Sequence, residues 1–270
     1  PDTLPADLAL RVKAVLGIAH HDAADRGATR RVLEAARDIA RRSSIPTVDN
    51  VSDDAVDSLC GVVLLSAYPD RLGMRRSSPG QFVMRGGGGV TMDSKDPIAR
   101  EKFVVAADID AQRSTSRLRR GAAVDIEFIA TVLGDDVELE SYLLWDKSRD
   151  DLVQRVVRKV GSIRIDERDL QPTPGDETTD ALLERVRATN MAVLGNGSAT
   201  AFRQRIAFLR HHQGGMWPET SNAHLLATLE DWLVPFLAGA TSRSDLAKVD
   251  VTMVLQSTLG WDASSQLDQL

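Results

Sequence analysis

The apolar side chains at the start of the chain recur every three or four residues, the spacing that places them on one face of an α-helix. Segments 4–19 and 28–42 both show this spacing, and the polar residues 22–27 separate them. A polar linker around Pro46 follows, and a third helix is predicted from Asp53 to Ala67. The chain is therefore predicted to begin with helices.

Beyond residue 80 the pattern changes to short runs rich in apolar and β-branched residues, which are typical of strands. Gly134-Asp135-Asp136 indicates a hairpin, and glycines 86–89 indicate a tight turn between two strands. Short strands at this spacing predict a small barrel or sandwich. The predicted strands cover residues 81–85, 90–92, 103–109, 124–133, 137–144, 155–160 and 163–165.

The helical spacing returns after a second linker at residues 171–176. Helices are predicted over residues 180–194 and 199–211, and a later helix reaching Phe236 should be kinked by Pro235. Three polar residues are expected to cap the last helices: Ser221, Ser244 and Asp250. We therefore expect an α+β fold in which a β-domain lies between two helical parts.

Charge is distributed unevenly along this chain of 270 residues, whose net charge is −6. Residues 61–120 hold 11 Lys and Arg against 6 Asp and Glu, whereas residues 121–180 hold 7 against 15. A local basic segment can bind phosphates even in an acidic protein. A solvated surface neutralised by the neighbouring acidic segment is the alternative interpretation.

Other features of the composition limit the cellular context. The single cysteine, Cys60, excludes an internal disulfide and indicates a reducing compartment. No run approaches 18 uncharged apolar residues, so we expect no membrane span. The chain begins PDTLPADLAL without an initiator Met, which suggests a piece of a longer protein.

The residues that could carry catalysis do not occur in catalytic arrangements. Val-Thr follows glycines 86–89, whereas a phosphate-binding loop ends in Lys-Ser or Lys-Thr. The His20-His21 and His211-His212 pairs are adjacent, whereas metal ligands on a helix are three or four residues apart. We therefore predict no catalytic residue, cofactor or metal in this chain. Four carboxylates could be interpreted as an acid–base group, with a solvated strand edge as the alternative: Asp135, Asp136, Glu138 and Glu140.

Four segments resemble the HrpB branch of the DEAH-type helicases. Residues 65–76 read LSAYPDRLGMRR and residues 80–90 read GQFVMRGGGGV, although Arg85-Gly86 and Val90 depart from the family pattern. Residues 103–110 read FVVAADID, and residues 225–239 read LLATLEDWLVPFLAG. The last segment is the most specific to this branch.

This resemblance implies three parts and a role in a larger enzyme. The parts are the end of a helix-bundle, ratchet-like domain at residues 1–47, an OB-like antiparallel β-barrel with a leading helix at 48–172, and a branch-specific helical domain at 173–270. The implied function is that of a cytoplasmic, bacterial C-terminal accessory region that binds single-stranded RNA or DNA and supports the upstream motor domains.

The same resemblance implies what this chain should lack. ATP and Mg²⁺ would bind in the missing motor domains, so that the chain alone should not hydrolyse ATP. The alternative is a protein–protein docking module without nucleic-acid contact, carried by the helical tail around Leu229 and Trp232. Steep salt dependence of single-strand binding would distinguish the two, because only a phosphate-binding surface produces it.

The basic segment supplies the candidate nucleic-acid contacts. OB-type barrels bind single strands through cations along a groove and aromatic rings that stack on bases. The rings that could stack on bases are Tyr68, Phe82, Phe103 and Trp145, and for each a place in the core is the alternative. Arg71 could instead form an internal ion pair with Asp70. The candidate contact residues are Tyr68, Arg71, Arg75, Arg76, Arg85, Lys95, Arg113 and Arg117.

Overall fold

The structure is a computed structural model that describes residues 5–20, 24–46, 51–111, 116–195, 199–214, 217–259 and 263. The chain divides into two compact units. The first unit comprises Pro1–Glu140 with Val157–Glu167, and the second comprises Ser141–Val156 with Arg168–Leu270.

Three helices open the first unit, as the apolar spacing predicts: α1 (Leu8–Leu16), α2 (Arg26–Arg42) and α3 (Asp53–Ala67). Each begins after a polar residue whose side chain accepts a hydrogen bond from the first turn, namely Asp7, Asp25 and Ser52. Gly17 ends α1 with a φ of 74°, a conformation that favours glycine.

Five strands form a closed barrel in the order β1-β2-β3-β5-β4. Neighbouring strands are antiparallel except for β3 and β5, which are parallel. This closed barrel after a helical segment confirms the predicted α+β fold and is consistent with an OB-like barrel. The strands are β1 (Leu72–Arg75), β2 (Gln81–Met84), β3 (Gly89–Thr91), β4 (Phe103–Ala111) and β5 (Ser116–Ala123).

Two apolar clusters hold the barrel in place. The inner cluster joins β2 to β5, together with Ile98 from the short 3-10 helix Pro97–Arg100, and its buried residues are Phe82, Met84, Val90, Ile98, Val104, Ala106 and Leu118. An outer cluster packs Leu65 of α3 against Leu72 and Val105 on the opposite side of the barrel wall. Because successive residues of a strand point to opposite faces, one strand serves both clusters.

Residues 124–133 are not a strand, so the predicted hairpin there is wrong. They form helix α4 (Ile126–Val132), and Gly134–Asp136 form a 3-10 turn. Ile129 and Leu133 are four residues apart and both are buried in the outer cluster. Packing of this helical face overrides the strand preference of the β-branched residues in the segment.

The remaining strands form a separate three-stranded sheet in the order β6-β7-β8 and do not join the barrel. They are β6 (Glu138–Asp146), β7 (Asp151–Val160) and β8 (Ile163–Leu170). The division between the two units falls within all three strands.

From residue 176 onward the described residues of the second unit are mainly helical, as predicted: α5 (Asp176–Ala188), α6 (Thr200–Gln213), α7 (Asn222–Ala227), α8 (Leu229–Leu233), α9 (Arg243–Lys248) and α10 (Val251–Ser257). Ser221 and Asp250 cap α7 and α10, which confirms both predictions. Ser242, not Ser244, caps α9, so that prediction is wrong. The predicted single helix reaching Phe236 is instead two short helices that divide at Thr228, and Pro235 lies in a 3-10 turn after the second of them.

The second unit has its own apolar core, in which Leu229, Trp232 and Leu233 are buried. The Trp232 indole Nε1 donates a hydrogen bond to the Leu225 carbonyl oxygen at 2.9 Å. None of the described helices is long and apolar enough to cross a membrane.

Candidate nucleic-acid interface

One outward surface of the barrel, which we call the barrel face, is formed by Arg76, Gln81, Gly89, Thr91 and Arg117. Gln81 lies opposite Thr91 on the neighbouring strand, and Thr91 lies opposite Arg117. The next residues on β2 and β3, Phe82 and Val90, point into the barrel. Because side chains alternate along a strand, those of Gln81, Thr91 and Arg117 therefore point outward.

Arg76 completes the barrel face from the loop between β1 and β2. Its peptide N donates to the Gln81 carbonyl oxygen at 2.8 Å, which fixes the loop against β2. Its guanidinium Nη2 lies 3.7 Å from the position that a Cβ of Gly89 would occupy. Both Arg76 and Arg117 are exposed, and neither forms an ion pair with any residue that the structure describes.

Arg75 belongs to the other side of the barrel wall. It lies opposite Phe82 in the β1–β2 pairing, and paired residues of neighbouring strands point to the same face. The Arg75 Nε is buried and has no hydrogen-bond partner among the described residues. Arg75 and Arg76 therefore differ in role, although the sequence places them side by side.

Two of the predicted cations make contacts inside the first unit. The Arg71 guanidinium lies 4.6 Å from the Tyr68 ring centroid, and its Nη1 donates to the Ala107 carbonyl oxygen at 2.7 Å. Arg85 forms an ion pair with Asp136 at 3.1 Å. These contacts hold both guanidinium groups against the protein, which leaves them less available for phosphate. No ion pair joins Arg71 to Asp70 in the part of the chain described.

The remaining predicted cations are Lys95 and Arg113. Lys95 is exposed between β3 and β4, where its backbone N is held by the Asp93 carboxylate at 2.9 Å. Arg113 lies outside the described residues. The structure therefore brings together Arg76 and Arg117 of the predicted set, and adds Gln81 and Thr91, which the sequence did not single out.

Most of the aromatic candidates are part of the protein interior. Phe82 and Phe103 are 1% and 3% exposed, so both are core residues. The Trp145 Nε1 donates to Asp150 at 2.9 Å, and the Arg185 guanidinium lies 4.5 Å from the Trp145 ring centroid. Tyr68 remains 40% exposed. Among its described residues, the barrel face offers hydrogen-bonding groups and charge but no aromatic ring.

The glycine turn, the carboxylate of Glu140 and the Cys60 thiol each lie in surroundings that favour a structural role over a catalytic one. Glycines 86–89 form the predicted turn, in which the Gly87 N donates to the Met84 carbonyl oxygen at 2.8 Å. Glu140 forms an ion pair with Lys159. No group of three His, Cys, Asp or Glu residues among those described could hold a metal ion. Burial raises the pKa of the Cys60 thiol to about 11, which disfavours the nucleophilic thiolate.

The sequence of the chain is related to that of a known protein. No protein-family model matches the chain. The ATP-dependent RNA helicase HrpB of Escherichia coli K12 is 27% identical over 221 residues, which cover 80% of this chain. The chain spans 27% of the length of that relative.

Two crystal structures of E. coli HrpB, described as a DExH-box NTPase and as a DEAH/RHA helicase, also match. They are 22% and 21% identical, with TM-scores of 0.47 and 0.46, and the match covers 99% of this chain and 31% and 32% of those chains. The sequence relationship confirms the family resemblance: the chain is similar to the C-terminal region of HrpB-type ATP-dependent helicases.

Proposed function

We propose that this chain is an accessory region of an ATP-dependent helicase and that its barrel face binds single-stranded RNA or DNA. The observation that carries the proposal is the placement of Arg76 and Arg117 beside the outward Gln81 and Thr91. Both guanidinium groups are exposed and form no ion pair with a described residue. OB-type barrels bind oligonucleotides on the face of strands 2 and 3 and on the loop between strands 1 and 2. Arg76 lies in that loop here.

The chemistry of the barrel face favours the nucleic-acid backbone over the bases. Two guanidinium groups can each pair with a phosphate, and the Gln81 amide and Thr91 hydroxyl can hydrogen-bond to sugar or phosphate oxygens. Contacts of this kind carry little sequence information. We therefore propose binding with little sequence preference, as expected of a surface that holds a strand passing through a helicase.

The proposal also assigns the energy-consuming step to another part of the larger protein. We propose that ATP and Mg²⁺ bind in motor domains of the same polypeptide, located in the cytoplasm, and that this chain supports them. The glycine turn at residues 86–89 lacks the Lys-Ser or Lys-Thr of a phosphate-binding loop. We therefore expect no ATP hydrolysis by this chain alone.

The test is a salt titration of binding to a fluorescein-labelled 20-nucleotide oligo(U), followed by fluorescence anisotropy. Each phosphate contact contributes about 0.7 to the slope of log affinity against log salt. The double variant Arg76→Ala, Arg117→Ala should bind more weakly and lose up to about 1.4 from that slope. Arg37→Ala with Arg42→Ala, two exposed positions on α2, removes the same charge and should leave the slope unchanged.

The docking alternative finds no support where the sequence placed it, because Leu229 and Trp232 are buried. A different feature favours it: an apolar groove of about 520 Å³ between α1 and α2, lined by residues such as Val12, Leu16 and Val32. If the wild-type chain fails to bind the oligonucleotide even at low salt, the barrel-face proposal is refuted and protein docking becomes the leading function.

A further inference from the structure

Helix α6 of the second unit presents two different faces. Ile206 and Leu209 are buried in a small apolar cluster with Trp217. Residues three and four positions apart share a helix face, so Gln204, Phe208 and His212 lie together on the opposite side. All three are exposed, and the Phe208 side chain is 63% exposed, which makes it the most exposed aromatic residue of those described.

On this exposed face the His212 ring contacts two other rings, and we call the three the ring cluster: Phe208, His211 and His212. The ring centroids of Phe208 and His212 are 4.3 Å apart with an angle of 54° between the planes. The centroids of His211 and His212 are 5.1 Å apart and nearly perpendicular. The rings therefore form a continuous aromatic surface in contact with solvent.

The charge of α6 is of one sign. Its 14 residues read TAFRQRIAFLRHHQ and include three arginines but no Asp or Glu, within a chain whose net charge is −6. Two arginines have anchoring roles: Arg203 Nε donates to the Thr220 carbonyl oxygen at 2.8 Å, and Arg210 Nη1 donates to the Trp217 carbonyl oxygen at 2.5 Å. Both guanidinium groups are directed at backbone carbonyls of residues 217 and 220, so they fix α6 in place and add positive charge to the helix that carries the ring cluster.

We propose that the ring cluster is a second contact site for single-stranded nucleic acid, in which a base stacks on Phe208. An exposed ring accepts any base because every base has a flat π-face, and a cationic helix attracts the phosphates that accompany it. The cluster presents an exposed ring, whereas the described residues of the barrel face include none. A docking surface for an apolar protein segment would need a wider patch, whereas the neighbours of Phe208 on this face are polar.

The sequence itself contains a pattern that indicates this site, apart from the His211-His212 pair. Gln204, Phe208 and His212 are spaced four residues apart, and acidic residues are absent from the whole of α6. A ring at this spacing between polar residues is expected to face solvent, because the apolar positions at 202, 206 and 209 face the core.

The proposal can be tested in the complete chain with labelled oligo(U) as the probe. Phe208→Ala should weaken binding by about fivefold or more, the loss expected for one stacked base, without changing the salt slope, since no ionic contact is removed. Phe236→Ala is the matched control, because Phe236 is a 41% exposed phenylalanine of the same unit with no ring contact among the described residues. We expect that control to bind as the wild type does.

A second variant reports on the site directly and separates it from the barrel face. Phe208→Trp should bind oligo(U) as the wild type does, and its added emission should be quenched by oligo(U), whereas the emission added by Phe236→Trp should not be quenched. Quenching should persist at saturating oligonucleotide when Arg76 and Arg117 are replaced by Ala. The proposal would be overturned if Phe208→Ala bound with wild-type affinity, or if the emission of Phe208→Trp did not change on addition of the oligonucleotide. The ring cluster would then be left as a face for a protein partner.

Discussion

Gly61 lies where α3 packs against the end of β5, and adding one methyl group there should separate the helix from the strand. A Cβ at Gly61 would lie 1.8 Å from the Ala123 carbonyl oxygen and 3.0 Å from the Val124 Cβ. Ala123 is fixed by its pairing with Val104 on β4. Because non-bonded heavy atoms pack best at about 3.5 Å, helix and strand would have to move apart by more than about 1 Å.

The expected cost of Gly61→Ala follows from two opposing effects. Overpacking costs about 1–3 kcal/mol, and this clash should lie at the upper end because a backbone atom cannot rotate away. Alanine regains about 1 kcal/mol through its higher helix propensity. The net loss in the free energy of unfolding should be about 2 kcal/mol, which lowers the thermal midpoint by about 4–8 °C for a chain of this size.

Far-UV circular dichroism during urea unfolding is the assay of choice for Gly61→Ala. Tryptophan fluorescence is unsuitable, because Trp145, Trp217, Trp232 and Trp261 all fall within the second unit. Ser58→Ala, at an exposed position on the same helix, is the control and should change stability by less than about 0.5 kcal/mol. An unfolding midpoint for Gly61→Ala at or above that of the wild type would refute the close packing of α3 on β5.

Three further predictions concern pH, the thiol and ATP. Hydrogen bonds from the Ser148 hydroxyl and from the backbone N atoms of Arg149 and Ser148 lower the pKa of Asp146 from 3.8 to about 2. The ionised Asp146 carboxylate therefore stabilises the fold above pH 3.8, and this stabilisation is lost as the pH falls towards 2. Asp146→Asn should have a lower thermal midpoint than the wild type above pH 3.8, and the two midpoints should converge as the pH falls towards 2. Cys60, whose pKa is raised to about 11, should react with iodoacetamide at pH 8 far more slowly in the native chain than in urea, as measured by mass spectrometry. The chain should release no phosphate from ATP with or without RNA; turnover that co-purifies with it through two columns would contradict this.

Local sequence determined the features that depend on neighbours along the chain. The spacing of apolar residues predicted α3 with its observed bounds, Asp53–Ala67, because burial of one helical face needs only the local pattern. The caps Ser221 and Asp250 were predictable for the same reason, since each side chain bonds a backbone N two or three residues away. The resemblance in residues 65–110 and 225–239 identified the helicase relationship without any structure.

Tertiary structure decided the features that depend on distant partners. Strand β1 is short and β5 is rich in arginine, so neither has a strong local pattern. Strand β1 pairs with β4 and β5 pairs with β3, and in both cases the partner is distant in sequence. Residues 126–132 become a helix because their buried face meets Leu65 and Ile163. Arg75 faces the inner side of the barrel wall and Arg76 faces solvent, because strand register places neighbouring residues on opposite sides of that wall. Register is set by the closed barrel as a whole, and therefore no local segment of the sequence could reveal which arginine faces solvent.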